Sequence, residues 1–171
     1  MRRLLAVLWG RKKKTELPPI EETAKNFKIT EGEDYLDEIF EYDLAVSREF
    51  SRADLGDEYT SAYYRVINRL LAHGEHKFFV AVDPYGRYLG HVWICIMEDT
   101  VDFVPTAYIF DIETKVHGLG IGSALLKKAE EWAREKGASK VSLRVEINNP
   151  ALNWYRRRGY LERAFILEKE L

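Results

Sequence analysis

The sequence predicts an α/β protein with a mixed, largely antiparallel central sheet flanked by helices. Three observations carry this. Apolar runs with two-residue alternation recur between turn signals. Apolar stripes at helical spacing separate some of these runs but not others. A glycine-rich loop joins one strand directly to a helix, as in an α/β unit. With 171 residues, 46% hydrophobic and 32% charged, the chain is long enough for one domain with a sizeable core.

Taken in order, residues 1–20 read as a basic tail and residues 21–171 as a single domain. Arg2, Arg3, Arg11, Lys12, Lys13 and Lys14 precede the first acid, Glu16. The apolar stretch Leu4–Trp9 falls short of a signal-peptide core and far short of the roughly 20 residues of a membrane span. Asn26–Thr30 alternates as a short strand. From Asp34, the residues Leu36, Ile39, Phe40 and Leu44 keep helical spacing. A second helix runs from near Asp57 through Tyr59, Tyr63, Val66, Ile67 and Leu70 and stops at His73-Gly74. Lys77–Val82 and Tyr88–Met97 flank the turn Asp83-Pro84-Tyr85-Gly86 and form a hairpin. Ala107–Ile112 is a further strand. Beyond the glycine loop, Ile121, Ala124, Leu125, Ala129, Trp132 and Ala133 make one helical face, ended by Gly137. Ser139–Ile147 alternates again, a short helix starts near Pro150 and ends at Gly159, and Tyr160–Leu171 reads as a terminal strand or tight strand pair.

Composition narrows the function. The net charge of −2 gives no global case for nucleic acid or an anionic membrane. The single cysteine, Cys95, lies in an apolar run and reads as an inert buried thiol in a reducing, cytoplasmic setting. Seven acids and no base occupy Glu31–Asp43. They read as a solvated helix face, or as a negative rim that draws in a cationic partner.

The chemistry concentrates in Ile112–Leu126, with glycines at 118, 120 and 122. Such a loop at a helix start brings bare N–H groups to a ligand at the positive end of the helix dipole, so the expected guest is a phosphate. The dinucleotide spacing G-x-G-x-x-G fails because position 123 is Ser123, and the Walker pattern fails for want of a Gly-Lys pair.

The stretch His117–Leu126 instead resembles the acyl-CoA pyrophosphate loop of the GNAT superfamily of N-acetyltransferases, with His117, Gly120 and Gly122 at its fixed positions. His117 stands where that family has Arg or Gln. Residues 148–160 resemble the family's later motif through Asn148, Ala151, Tyr155, Gly159 and Tyr160. The resemblance, which spans nearly the whole domain, implies the GNAT acyl-CoA N-acyltransferase fold. It also implies transfer of an acetyl group from acetyl-CoA, as cosubstrate and with no metal, to a primary amine by direct attack in a ternary complex.

On that resemblance, the backbone of Ile112, Glu113 and Thr114 would pair with the pantetheine arm. His117, Gly118, Leu119, Gly120, Ile121, Gly122 and Ser123 would hold the pyrophosphate, and Asn148 and Tyr155 would contact the CoA arm and thioester. Tyr155 would protonate the departing thiolate. Attack needs a neutral amine: at pH 7 a free lysine is roughly 0.04% neutral and an α-amine roughly 10–15%, a difference of about 3.5 kcal/mol. A base is therefore expected, with Asp111 and Glu146 first and Glu113 third. Arg156, Arg157 and Arg158 fit a helix C-terminus, or contact to the adenosine phosphates. The acceptor is an amine-bearing small molecule or a protein, and not a nucleic acid. The short segment after Tyr160 leaves the acceptor side open or completed by a second subunit in a homodimer. A non-catalytic acyl-CoA-binding or sensing domain is the alternative reading.

Overall fold

The computed structural model describes residues 16–169; the basic tail lies outside them up to residue 15. A single helical turn, α1 (Ile20–Thr23), opens the described chain, and Ile20 already packs on the core. The remaining elements are β1 (Lys28–Glu31), α2 (Leu36–Phe50), α3 (Tyr59–Leu71), β2 (Glu75–Val82), β3 (Tyr88–Glu98), β4 (Pro105–Thr114), α4 (Ile121–Glu135), β5 (Lys140–Leu143) and α5 (Ala151–Arg156). The five strands lie side by side in chain order. The first three pairings are antiparallel and β4–β5 is parallel. This is the mixed, largely antiparallel sheet that the alternation predicts.

Alternation also explains the two layers. Phe79, Ala81, Val92, Ile94, Ala107 and Ile109 face α4, whose Ile121, Leu125, Leu126, Ala129, Trp132 and Ala133 are buried against them. Phe78, Val80, Val82 and Trp93 face the other way, onto Ile39 of α2 and Ile67 of α3. Side chains on opposite faces of a strand each need their own helical cover, so the sheet is sandwiched. Gly90 is required where β3 and β4 come closest, because a Cβ there would lie 2.3 Å from the Glu113 carbonyl oxygen.

Three expectations are corrected. The strand over Ser139–Ile147 is only Lys140–Leu143: pairing with β4 ends at Ile109↔Leu143, and Arg144 and Glu146 pair with each other at 2.8 Å instead. The first strand begins at Lys28 rather than Asn26, which closes a 3₁₀ turn. The expected terminal strand over Tyr160–Leu171 does not form among the described residues. Residues 161–169 have no regular structure, and Leu161, Phe165 and Leu167 are 86%, 87% and 93% exposed.

Among the described residues, no helix is long and apolar enough to cross a membrane. Cys95 is buried and unpaired, and burial pushes its thiol up to about 11; it is unreactive.

Candidate active site

One irregularity of the sheet organises the site. Trp93 pairs with Asp111 and the next residue, Ile94, with Ile109, so Phe110 is an extra residue in β4. A bulge of this kind puts two consecutive side chains on one face. Ile109 and Ile112 point to the α4 side, while Phe110 and Asp111 both reach the cavity on the α2–α3 side. Beyond the bulge, β4 runs on to Thr114 paired only with β3, because β5 has ended its ladder at Leu143. A slot therefore opens between β4 and the chain after β5. On its β4 edge, the backbone of Phe110–Thr114 is free to receive an extended ligand as an added strand.

The glycine loop lies at the end of that edge. Gly120 caps α4 at φ 81°, in the left-handed region, where a side chain would be strained. A Cβ at Gly118 or Gly120 would meet nothing within 4 Å, so the backbone there faces open space. Ala124 is the first residue of the turn to donate within the chain, to the Gly120 carbonyl at 3.0 Å. The amides of Gly118–Ser123 thus have no acceptor among the described residues and converge at a helix N-terminus, which is the geometry of an anion cradle. His117 is exposed, with Nδ1 3.3 Å from Thr114 Oγ1. Arg158 reaches the loop from α5: it stacks on Trp154 at 3.9 Å and donates to Ser123 Oγ at 2.6 Å. Of the three adjacent arginines, it alone touches the cradle. Arg156 is held by Glu162.

Tyr155 is buried on the α4 side of the slot. Burial, and then the Asp111 carboxylate, push its phenol well above the ordinary range. It is a proton donor at neutral pH, close enough to Asp111 to sense its charge.

On the α2–α3 side, Asp111 is 15% exposed and its Oδ2 lies 2.7 Å from Nε2 of the fully buried His91. The two are not aligned as a hydrogen bond, and neither atom has another partner. Nδ1 of His91 lies 2.5 Å from the Tyr88 hydroxyl. Burial, and then Asp111, raise the Tyr88 phenol, so it donates to Nδ1 and leaves the ring proton on Nε2, facing Asp111. Asp43 of α2 accepts from Tyr63 at 2.5 Å and from Ser47 at 3.2 Å. Its carboxyl is raised by burial and then by Asp111. Glu113 has a buried oxygen without a partner. Burial first, then Asp111, Asp43 and Glu49, push it far above the usual carboxylate range, so it holds its proton at neutral pH.

The expected residues therefore separate into two places. Asp111 lines the α2–α3 cavity, Tyr155 is buried in the α4-side core near enough to sense its charge, and the loop from His117 to Ser123 follows the unpaired edge of β4 that carries Glu113. Glu146 and Asn148 line a different cavity of about 310 Å³ with Arg52, Arg144 and Glu168, where Glu146 is paired to Arg144 and Arg52. Sequence reasoning did not single out Asp43, His91, Tyr88 or Tyr63. Asp43 was one of seven acids in a row, of which the other six are exposed. His91, the one histidine in the apolar run of β3, was the available signal. Among the described residues, no group of three or more His, Cys, Asp or Glu is placed to hold a metal ion.

Comparison with known proteins bears on this geometry. The acetyltransferase (GNAT) family profile matches residues 36–160. A solved protein of Pyrococcus furiosus, described as a candidate acetyl transferase, is 52% identical. It superposes with a TM-score of 0.83 over 85% of this chain and 100% of that one. The glucosamine-6-phosphate N-acetyltransferase of Arabidopsis thaliana shares the fold at 16% identity, with a TM-score of 0.59 over 85% and 98%. A mycothiol acetyltransferase of an Arthrobacter strain is 31% identical over 86 residues, 48% of this chain and 27% of that protein. An N-acetyltransferase of Methanocaldococcus jannaschii of uncharacterised activity is 31% identical over 103 residues, 57% and 44%. The chain spans less than half the length of these curated relatives. With most of its core, the β4 edge and the glycine loop inside the matched residues, the chain belongs to the acetyltransferase (GNAT) family.

Proposed function

We propose that the chain is an N-acetyltransferase that moves an acetyl group from acetyl-CoA to a primary amine by direct attack in a ternary complex. The observation that carries this is the unpaired edge of β4 beyond the end of β5, with an amide cradle after it and Asp111 and Tyr155 on opposite faces of the sheet beside it. The cradle suits a diphosphate. The six amides from Gly118 to Ser123 need an acceptor, and Arg158 adds a guanidinium beside Ser123. The free β4 edge suits the amide-bearing arm of a CoA thioester, which would present its acetyl carbon at the bulge.

The chain's own groups then divide the proton work. Asp111 takes a proton from the incoming ammonium, leaving a neutral amine. The amine nitrogen forms its bond to the acetyl carbon as the carbon–sulfur bond breaks. Tyr155 supplies the proton that the thiolate acquires, and the proton lost from the nitrogen makes good the balance. The products are an N-acetyl amide, free CoA thiol and one proton released to solvent. Glu146, tied to two arginines in the second cavity, leaves Asp111 as the base of this reading.

Thiol release is the direct test. Full-length protein with acetyl-CoA alone should release CoA slowly, and addition of an accepting amine should raise the rate with one acetylated amine per thiol. Tight acetyl-CoA binding without transfer to any amine of a broad panel would instead make this a donor-binding domain.

A further inference from the structure

The cavity beside Asp111 carries information about the acceptor. It is an open pocket of about 370 Å³ between α2, α3 and the bulged part of β3–β4, walled mainly by apolar side chains, among them Val66, Leu70, Trp93 and Phe110. That is the small end of the roughly 300–1,000 Å³ usual for small-molecule sites. Its polar groups are few: Ser47 and Tyr63 are gathered on Asp43 at one end, with Asp111 and the Tyr59 hydroxyl also in the lining. Asp43 and Asp111 line it, and no lysine or arginine does.

Hydrogen-bond bookkeeping gives that end a definite polarity. The hydroxyls of Tyr63 and Ser47 are already spent on Asp43. Asp111 Oδ2 is buried facing His91 Nε2, and the partly exposed Asp111 carboxylate lines the cavity. Apart from the Tyr59 hydroxyl, what remains for a ligand is the pair of carboxylates, and a carboxylate pair is complementary to a donor-only group. An ammonium is such a group. A carboxylate on the carbon next to the amine would meet Asp43 and Asp111 with no cation in the wall to offset them. A second ammonium, or a ring of sugar hydroxyls, would meet a mainly apolar wall that holds no further carboxylate to pair with it.

Resting on the acetyltransferase reading above, we infer that the acceptor is a small primary monoamine. Its one ammonium sits between Asp43 and Asp111, and its uncharged alkyl or aryl body fills the cavity against Trp93, Phe110, Val66 and Leu70.

The test uses full-length protein, acetyl-CoA and a panel in which charge and polarity vary separately: 2-phenylethylamine, hexylamine, phenylalanine, spermidine, glucosamine and a short peptide with a free N-terminus. The expected order of kcat/KM puts 2-phenylethylamine and hexylamine at least 100-fold above phenylalanine and at least tenfold above the other three. Asp43→Asn should raise KM for the monoamines at least tenfold while acetyl-CoA binding is unchanged. Preference for spermidine, glucosamine, phenylalanine or the peptide would overturn the inference and leave the acetyltransferase reading standing. If no amine is acetylated, that reading fails. Calorimetric titration of 2-phenylethylamine into the CoA complex then decides the inference alone: binding lost in Asp43→Asn supports it, and absence of binding overturns it.

Discussion

His91 Nε2 lies 2.7 Å from Asp111 Oδ2 across the β3–β4 ladder, and the His91 ring is fully buried. Tyr88 holds the other ring nitrogen, so the imidazole presents its N–H edge to the carboxylate that faces the acceptor cavity. Asp43, Glu113 and Tyr42 lie near the same carboxylate, and the imidazole nitrogen is the group that directly faces its buried Oδ2. His91 is therefore a positioning residue for Asp111. His91→Leu should lower kcat ten- to a hundredfold, leave KM for acetyl-CoA unchanged and move the acid limb of the pH–rate profile upward. His91→Gln, which can place an amide N–H near the same point, should recover most of the rate. A uniform loss without a change in the pH profile would mean that His91 only fills space.

Tyr155 tests the other side of the slot. Burial keeps its phenol protonated, and Phe differs from it by the hydroxyl alone. Tyr155→Phe should lower the acetyl-transfer rate at least tenfold with little change in acetyl-CoA affinity. Near-wild-type turnover would remove the hydroxyl from the chemistry.

The cradle makes a sharper claim. Gly120→Glu places a carboxylate at the convergence of the free amides, and the φ of 81° adds backbone strain of order 1 kcal/mol. It should abolish CoA binding. Gly120→Ala carries the same strain without the charge and should retain binding, weakened severalfold. Thermal shift with acetyl-CoA separates the two, and full ligand stabilisation of the glutamate variant would place the diphosphate elsewhere.

Local periodicity made most of the fold legible. The alternation in β2, β3 and β4 and the apolar stripe of α4 depend on residues close in sequence, and their ends fell within about two residues of those expected. The site was legible only where a motif is continuous, as in the loop from His117 to Ser123. Asp43 could not be told from Glu41 or Asp37 until α3 was laid beside it, because only Tyr63 and Ser47 mark it out. The Phe110 bulge interrupts a run whose composition is equally suited to regular pairing. Glu146 sat in a clean alternating pattern, and its separation from Asp111 into another cavity arises from the early end of β5, a property of the β4 partner rather than of its own sequence.

Asp83, at the β2–β3 turn, should set the acid limit of stability. It is fully buried, where burial alone would raise its pKa. Hydrogen bonds from Thr23 and from the backbone and guanidinium of Arg87 outweigh this and hold it down at about 2. A carboxylate depressed in the folded state contributes stability above its ordinary value near 3.9, which is lost as pH falls toward 2. Asp83→Asn should therefore be destabilised by roughly 2–3 kcal/mol at pH 7, in line with losing charge-assisted bonds to a buried group, and the gap from wild type should narrow between pH 4 and pH 2. Denaturant melts across that range would show it; a gap independent of pH would refute it.

Glu113 has the opposite sign. Its folded-state pKa is raised by burial and by Asp111, Asp43 and Glu49, so the folded protein holds a proton that the unfolded chain gives up near pH 4.3. Wherever the folded state binds the extra proton, stability falls as pH rises. The cost is absent at pH 4, grows through neutrality and levels off above the raised value. Glu113→Gln mimics the protonated form and escapes that cost. Its melting temperature should match wild type at pH 4 and exceed it by several degrees at pH 8, a widening gap that calorimetry can follow. A constant offset at both pH values would mean that Glu113 is ionised in the folded protein, and with it the carboxylate cluster would be open to solvent.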